Sequence, residues 1–413
     1  MLEKIRDPNV LRIYKGVFLV GMAYGVSIAL TPLHLDALGF GKSDIGTLAA
    51  WFASGIVLLS LPMGAVIRKL SARATLIASI VGYAVCVAIF PFLRSYAGIA
   101  TARFFDGAFS VGIWVSCETI LLSRAEKHIK AYVTSVYAMS MAIGYVIGPV
   151  AAKAIVAVTH MWVAFLVSGA LSLISAAFLL ARLDADVPST HELSPHDLEL
   201  SGQAPKSGSG SRSILVRIKT SCFATFAYGY FQASVVLFLP LFLIESKHIA
   251  RDKTILISAF FATGMLLFSN LAGKLGDKHG HLRVMKLLAA VGTATVLAFV
   301  FLDGFPAMCI AFFVGGATLA SISPVSLALQ GIVISPAEYS RGNAIYNAFY
   351  AVGMLLGPPA SSLIFARYGG EAMIVHLAVM WASFFLFCVV FAQDDPAARR
   401  RSKAIADAAA IAE

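Results

Sequence analysis

Gly144-Tyr145-Val146-Ile147-Gly148-Pro149 returns 209 residues later as Gly353-Met354-Leu355-Leu356-Gly357-Pro358. Each copy lies inside an apolar run long enough to cross a bilayer, whose ~30 Å core needs about 20 helical residues. Gly64 and Gly273 are also 209 apart, and Pro32-Leu33-His34-Leu35 matches Pro240-Leu241-Phe242-Leu243 at 208. Three landmarks at nearly one offset describe a chain built twice. Two copies of the same topology belong to transporters whose halves move about a central site.

Apolar runs flank both copies, at about 14–37, 45–67, 74–93, 96–122, 132–156 and 162–182, then 215–245, 254–274, 284–302, 304–333, 342–366 and 371–392. Helices are the open-chain structure that satisfies every backbone group in lipid, so the runs predict an all-α membrane protein of twelve spans. We expect two pseudo-symmetric six-helix bundles, 1–182 and 214–395, a flexible cytoplasmic linker at 183–213 and a cytoplasmic tail at 396–413.

Composition agrees. The 413 residues are 59% hydrophobic and 13% charged, where a soluble domain carries about 25% charged residues. That excludes a water-soluble enzyme, a disordered chain and a nucleic-acid binder. With the N-terminal side taken as inside, 24 Lys and Arg fall in inner loops and 7 in outer ones, and Arg103 alone lies within a span. This bias places both termini in the cytoplasm of a multi-pass inner-membrane protein. It also accounts for the net charge of +10 without an anionic partner. Cys86, Cys117, Cys222, Cys309 and Cys388 each lie in an apolar run without metal or redox spacing and read as buried small hydrophobes.

Two further stretches carry charge into this apolar background. Gly273-Lys274-Leu275-Gly276-Asp277-Lys278-His279-Gly280-His281-Leu282-Arg283 joins spans 8 and 9, and Arg103-Phe104-Phe105-Asp106-Gly107 lies in span 4. The first resembles the loop signature of the major facilitator superfamily, and the second that family's membrane-embedded Arg motif. Gly144–Pro149 resembles the span-5 motif of the drug/proton-antiporter, efflux-type branch. The resemblance spans the whole chain and implies the major facilitator fold with small-molecule transport.

In the loop signature, glycines permit a tight turn and close helix approach. The Asp277 charge suits a positive helix N-terminus, expected near 132–135. We read Gly273, Asp277, Gly280 and Arg283 as one cytoplasmic latch. In the first half Arg68 stands where Asp277 does and Ser71 where Gly280 does, so the matching latch there reads as an Arg68–Glu338 pair. The glycines Gly144, Gly148, Gly353 and Gly357, with Pro149 and Pro358, read as close helix packing and helix bends.

At 100° per residue, Arg103, Asp106 and Glu118 share one ~120° face of span 4, with Glu118 about 20 Å further along. A charge at mid-membrane must face the protein interior or water. Arg103 and Asp106 read either as a substrate or proton-relay pair or as a static brace; Glu118 reads as a further titrating group or as a brace to Arg124. By the resemblance, spans 1, 4, 7 and 10 line the cavity, which makes His34, Arg103, Gln232 and Gln330 the candidate liners. Span 1 has no mid-depth carboxylate, so an anionic, zwitterionic or neutral substrate suits it at least as well as a cation.

The leading expectation is a secondary transporter working by alternating access, proton-coupled and exporting. The alternatives are an importer of a small organic anion, metabolite or lipid-like molecule, and a membrane sensor or scaffold without transport. No nucleotide-binding loop, HExxH or nucleophile elbow points to an enzyme. We expect no cofactor and no metal site; the partners are a small-molecule substrate, protons and membrane lipids, acting on a monomer.

Overall fold

A computed structural model of the chain describes residues 7–124, 130–184, 211–334 and 339–394. The described residues form twelve helices long and apolar enough to cross a membrane. They are α1 (Pro8–Ala37), α2 (Lys42–Leu70), α3 (Ala72–Ile89), α4 (Tyr96–Arg124), α5 (Lys130–Val158), α6 (Met161–Arg182), α7 (Ser211–Glu245), α8 (Ile257–His279), α9 (His281–Phe301), α10 (Phe305–Val333), α11 (Tyr339–Tyr368) and α12 (Gly370–Val390). The expected all-α, twelve-span fold is what forms. Most of the linker, 185–210, and the tail beyond 394 lie outside the described residues.

Local chemistry sets the ends. Asp7 caps α1 by accepting from the Asn9 amide at 2.7 Å, with Pro8 in the first helical position. Gly39, Gly280 and Gly369 take positive φ where one helix hands over to the next. Ser71 does the same without being glycine: φ is 80° between α2 and α3, where its counterpart Gly280 has 99° between α8 and α9. The turn therefore survives the loss of its glycine. Its hydroxyl is used, since Ser71 Oγ accepts from the Ala74 amide at 3.2 Å.

The duplication is visible in burial. α1 and α7 are the most enclosed spans, with 78% and 72% of their apolar window buried, and α4 and α10 follow at 61% each. The chain forms two compact units. One comprises Met1–Thr190, Ala233–Thr263 and Leu355–Glu371; the other comprises His191–Gln232, Gly264–Met354 and Ala372–Glu413.

In the first unit α1 packs on α5 and α6, α2 on α4, and α3 on α4 and α6. The α1–α5 contact is a glycine crossing. A Cβ on Gly144 would stand 2.6 Å from Gly21 C, and one on Gly148 would stand 2.6 Å from Gly25 Cα. Only hydrogens fit between these backbones, as in small-residue packing in membranes. In the second unit α7 and α11 repeat the contact: a Cβ on Gly229 would meet Tyr350 O at 2.4 Å, and one on Gly353 would meet Phe226 O at 2.3 Å. Trp381, fully buried, packs edge-on to Phe231 and Phe384 at 5.8 and 5.9 Å. α10 passes through a π-helical turn at Gly316–Ala320. All five cysteines are buried, as expected.

Candidate functional site

The polar centre of the first unit is built on α4. Arg103 Nη1 donates to Asp106 Oδ2 at 2.6 Å, one helical turn apart. The Arg103 guanidinium also lies 4.4 Å from the centre of the Phe52 ring on α2, a favourable cation–π placement. Asp106 is 7% exposed, and its Oδ1 is buried without a hydrogen-bond partner among the described residues. Close helix approach puts the pair there: a Cβ on Gly107 would fall 2.0 Å from Phe52 O, and one on Gly55 2.0 Å from Phe104 O. α2 and α4 therefore touch backbone to backbone at Phe104 and Gly107, beside the pair.

Hydroxyls surround it. Ser110 Oγ donates to Asp106 O at 2.7 Å, and Tyr24 OH donates to Ser110 Oγ at 2.6 Å. Ser27 Oγ and Tyr83 OH are 3.0 Å apart, and the Tyr24 and Tyr83 rings lie 4.4 Å centre to centre. Ser27, Thr31, Phe90, Arg103, Asp106 and Phe165 contribute to the wall of one small cavity. His34 belongs to the same neighbourhood: its ring is 5.7 Å from Phe90 and 5.4 Å from Phe165.

The structure thus brings three sequence candidates together: Arg103, Asp106 and His34. Glu118 lies apart, exposed, with no ion-pair partner among the described residues. The expected brace from Arg124 goes elsewhere, because Arg124 Nη1 reaches Asp7 at 3.1 Å. Asp7 lies just before α1 and meets the C-terminal residue of α4.

Gln232 and Gln330 belong to the second unit and do not share a partner. Tyr350 OH donates to Gln232 Oε1 at 2.9 Å, and Gln330 Nε2 donates to Asn343 Oδ1 at 2.7 Å. Gln330 is 1% exposed and ties α10 to α11. Asp277 is exposed and reaches His281 Nε2 at 3.2 Å one turn on. Gly280 supplies the turn beside it and Arg283 is exposed. Glu338 and the side chains of Arg68 and of residues 132, 134 and 135 lie outside what is described.

Two charge clusters in the first unit were not expected. At the end where α1 begins, Asn9 Nδ2 donates to Asp184 Oδ2 at 3.0 Å, and Arg12 pairs with Asp184 at 3.2 Å. The Asn9 hydrogen bond, followed by Arg12, holds the Asp184 carboxyl below the usual carboxylate range. The first residues after α6 are thus part of this unit's packing. At the opposite end Arg251 Nη2 meets Asp36 Oδ2 at 2.5 Å and Nη1 donates to Leu33 O at 3.1 Å. Lys42 is 3.6 Å from Asp36 and also pairs with Glu245. The signal for this cluster was in the sequence, as acids at the ends of spans 1 and 7 beside cations of the loops that follow them. The glycine partner of α5, Gly21-Met22-Ala23-Tyr24-Gly25, was likewise legible as small residues four apart.

Twelve spans, a doubled glycine crossing and a buried ion pair define a polytopic helical membrane protein. The chain belongs to the Major Facilitator Superfamily, which it matches over residues 14–218 and 221–413. It is 23% identical over 382 residues to the uncharacterized MFS-type transporter YfkF of Bacillus subtilis, covering 91% of this chain and 93% of that protein. YcaD of Escherichia fergusonii, also an uncharacterized MFS-type transporter, is 22% identical over 382 residues, covering 89% and 92%. Among solved structures, a bacterial homologue of the human lysosomal transporter Spinster superposes with a TM-score of 0.75 at 11% identity, covering 95% and 98%. The nucleoside transporter NupG gives 0.72 at 16% identity, covering 93% and 97%. These likenesses are likenesses of fold.

Proposed function

We propose that this chain is a proton-coupled exporter of a small molecule, working by alternating access. The observation that carries the reading is the Arg103–Asp106 pair: a nine-tenths buried carboxylate with one oxygen bound to a cation and the other without a hydrogen-bond partner among the described residues. An ionisable group at membrane depth is expensive and is tolerated for a reason. Proton binding at Asp106 would neutralise it and loosen Arg103, changing the local charge by one unit inside the first six-helix repeat. That is the kind of differential interaction an alternating-access cycle needs.

In this reading the moving bodies are the repeats 1–182 and 214–395, joined by 183–213, with both termini in the cytoplasm. Export is the direction favoured by the likeness of the span-5 glycine motif to the antiporter branch. The protein works as a monomer, with substrate, protons and lipid as its partners.

The test is a pH-sensitive dye inside proteoliposomes. Substrate addition under an imposed pH gradient should move protons with wild type and not with Asp106→Asn. Expression in a pump-deficient host fixes direction, since export lowers accumulation. Proton flux undiminished in Asp106→Asn would remove Asp106 from coupling and leave the pair as a brace.

A further inference from the structure

A groove of about 660 Å³ runs between α3 and α4. Gly82, Cys86 and Ile89 line it from α3, and Gly98, Thr101 and Phe105 from α4. At 100° per residue Phe105 stands about 160° around α4 from Arg103, so the groove opens on the far side of that helix from the Arg103 side chain. Its rims are uncovered: Val85, Ile89 and Phe105 are 52%, 44% and 46% exposed. In a membrane span such a face meets acyl chains rather than water.

The groove has a closed end and an open one. At the closed end Phe109 seats on Gly82, where a Cβ would fall 2.5 Å from its ring, and stacks on Phe105 at 6.2 Å. Leu93 and Ala97 form the open end. From Ala97 to Phe109 the depth is roughly 18 Å at ~1.5 Å per residue, close to the ~15 Å that one leaflet contributes to a ~30 Å hydrocarbon core. The hydroxyl in the lining is already spent, since Thr101 Oγ1 donates to Ala97 O at 2.8 Å. An apolar space of this kind stays dry, and its walls gain dispersion contacts only from hydrocarbon that fills it.

The mouth carries the other half of a lipid's chemistry. Arg94 stands in the turn between Leu93 and Ala97, exposed, with no ion-pair partner among the described residues. In the same turn Phe92 packs at 6.2 Å on Trp162, an exposed ring at the start of α6 that also stacks on His160 at 6.5 Å. Tryptophan collects at the membrane–water boundary, which puts the mouth at headgroup level. A cation at that level without a carboxylate partner attracts anionic lipid.

We propose that this groove binds one acyl chain of an anionic phospholipid, with Arg94 holding the phosphate at its mouth. Depth, lining and charge agree on that occupant, and the site stands whether or not Asp106 couples protons.

Photo-crosslinking of the full chain tests both ends of the site. The protein is placed in nanodiscs of equal phosphatidylglycerol and phosphatidylcholine, with an acyl-chain diazirine on one lipid or the other, and the labelled peptides are read by mass spectrometry. Wild type should label on α3 and α4 along the groove, with phosphatidylglycerol favoured about fivefold, the share of one arginine at a membrane surface. Ala97→Phe and Thr101→Trp fill the groove from exposed positions and should abolish that labelling. Ile174→Phe, exposed on α6, should leave it intact. Arg94→Gln should keep the labelling and equalise the two lipids. Groove labelling that persists in either filling variant overturns the acyl-chain site. Equal labelling by both lipids in wild type, or a preference that survives Arg94→Gln, overturns the assignment of the headgroup to Arg94.

Discussion

Gly144→Ala tests the α1–α5 crossing directly. The added methyl would stand 2.6 Å from Gly21 C and from Met22 N, and 2.7 Å from Phe18 O. All three are backbone atoms, so no side chain can swing aside. Ordinary contact begins near 3.4 Å, so α1 and α5 must part by about 0.8 Å at the crossing, in an interior packed as densely as an organic crystal. Overpacking of this kind costs about 1–3 kcal/mol. The better helix propensity of Ala returns about 1 kcal/mol, so the net loss is about 0–2 kcal/mol. Gly273→Ala is the control, because a Cβ there meets nothing within 4 Å, and only the propensity gain of about 1 kcal/mol remains. The five buried free cysteines make the assay direct: a thiol-reactive fluorogenic dye lights up as the protein unfolds in detergent. Gly144→Ala should melt below wild type and Gly273→Ala at or above it. If the two variants shift together, or Gly144→Ala melts no lower than wild type, backbone contact does not set the α1–α5 distance.

Four other outcomes follow from named contacts. Arg103→Ala leaves Asp106 buried without its cation and should cost about 3–5 kcal/mol, with most of it recovered in Arg103→Ala/Asp106→Asn; a double-mutant cycle on dye-monitored unfolding measures the coupling. Ser71→Gly should stabilise by about 1 kcal/mol, because glycine accepts the positive φ of 80° that strains a serine, while Ser71→Ala should not. Asp184→Asn should lower the unfolding midpoint at neutral pH. The wild-type advantage should disappear as pH falls through the depressed Asp184 value, since a carboxyl held low stabilises only while ionised. Arg251→Met should speed amide exchange at residues 33–38, because Asp36 and Leu33 O both lose their Arg251 bonds.

How far the site was legible follows from what kind of information each part needs. Arg103 and Asp106 stood out because a charge inside an apolar run is anomalous wherever it packs, and their spacing alone put them one turn apart on a common face. His34 was chosen by likeness to cavity-lining spans, and its nearness to the pair came only with Phe90 and Phe165. Gln232 and Gln330 were chosen on the same ground and turned out to hold tyrosine and asparagine partners. Glu118 read either as a titrating group or as a brace near Arg124; in the structure Arg124 pairs with Asp7, distant in sequence.

Span number, helical character and the doubling of the chain were properties of the sequence alone. They depend on run length, hydropathy and a repeated offset, and lipid leaves a spanning segment little choice but helix. The partners of each span were decided by tertiary structure. In lipid every apolar face is equally comfortable, so hydropathy carries no address. What selects Gly21 and Gly25 for Gly144 and Gly148, or Tyr24 and Ser110 for the neighbourhood of Asp106, is whether backbones can meet and polar atoms can find each other in three dimensions.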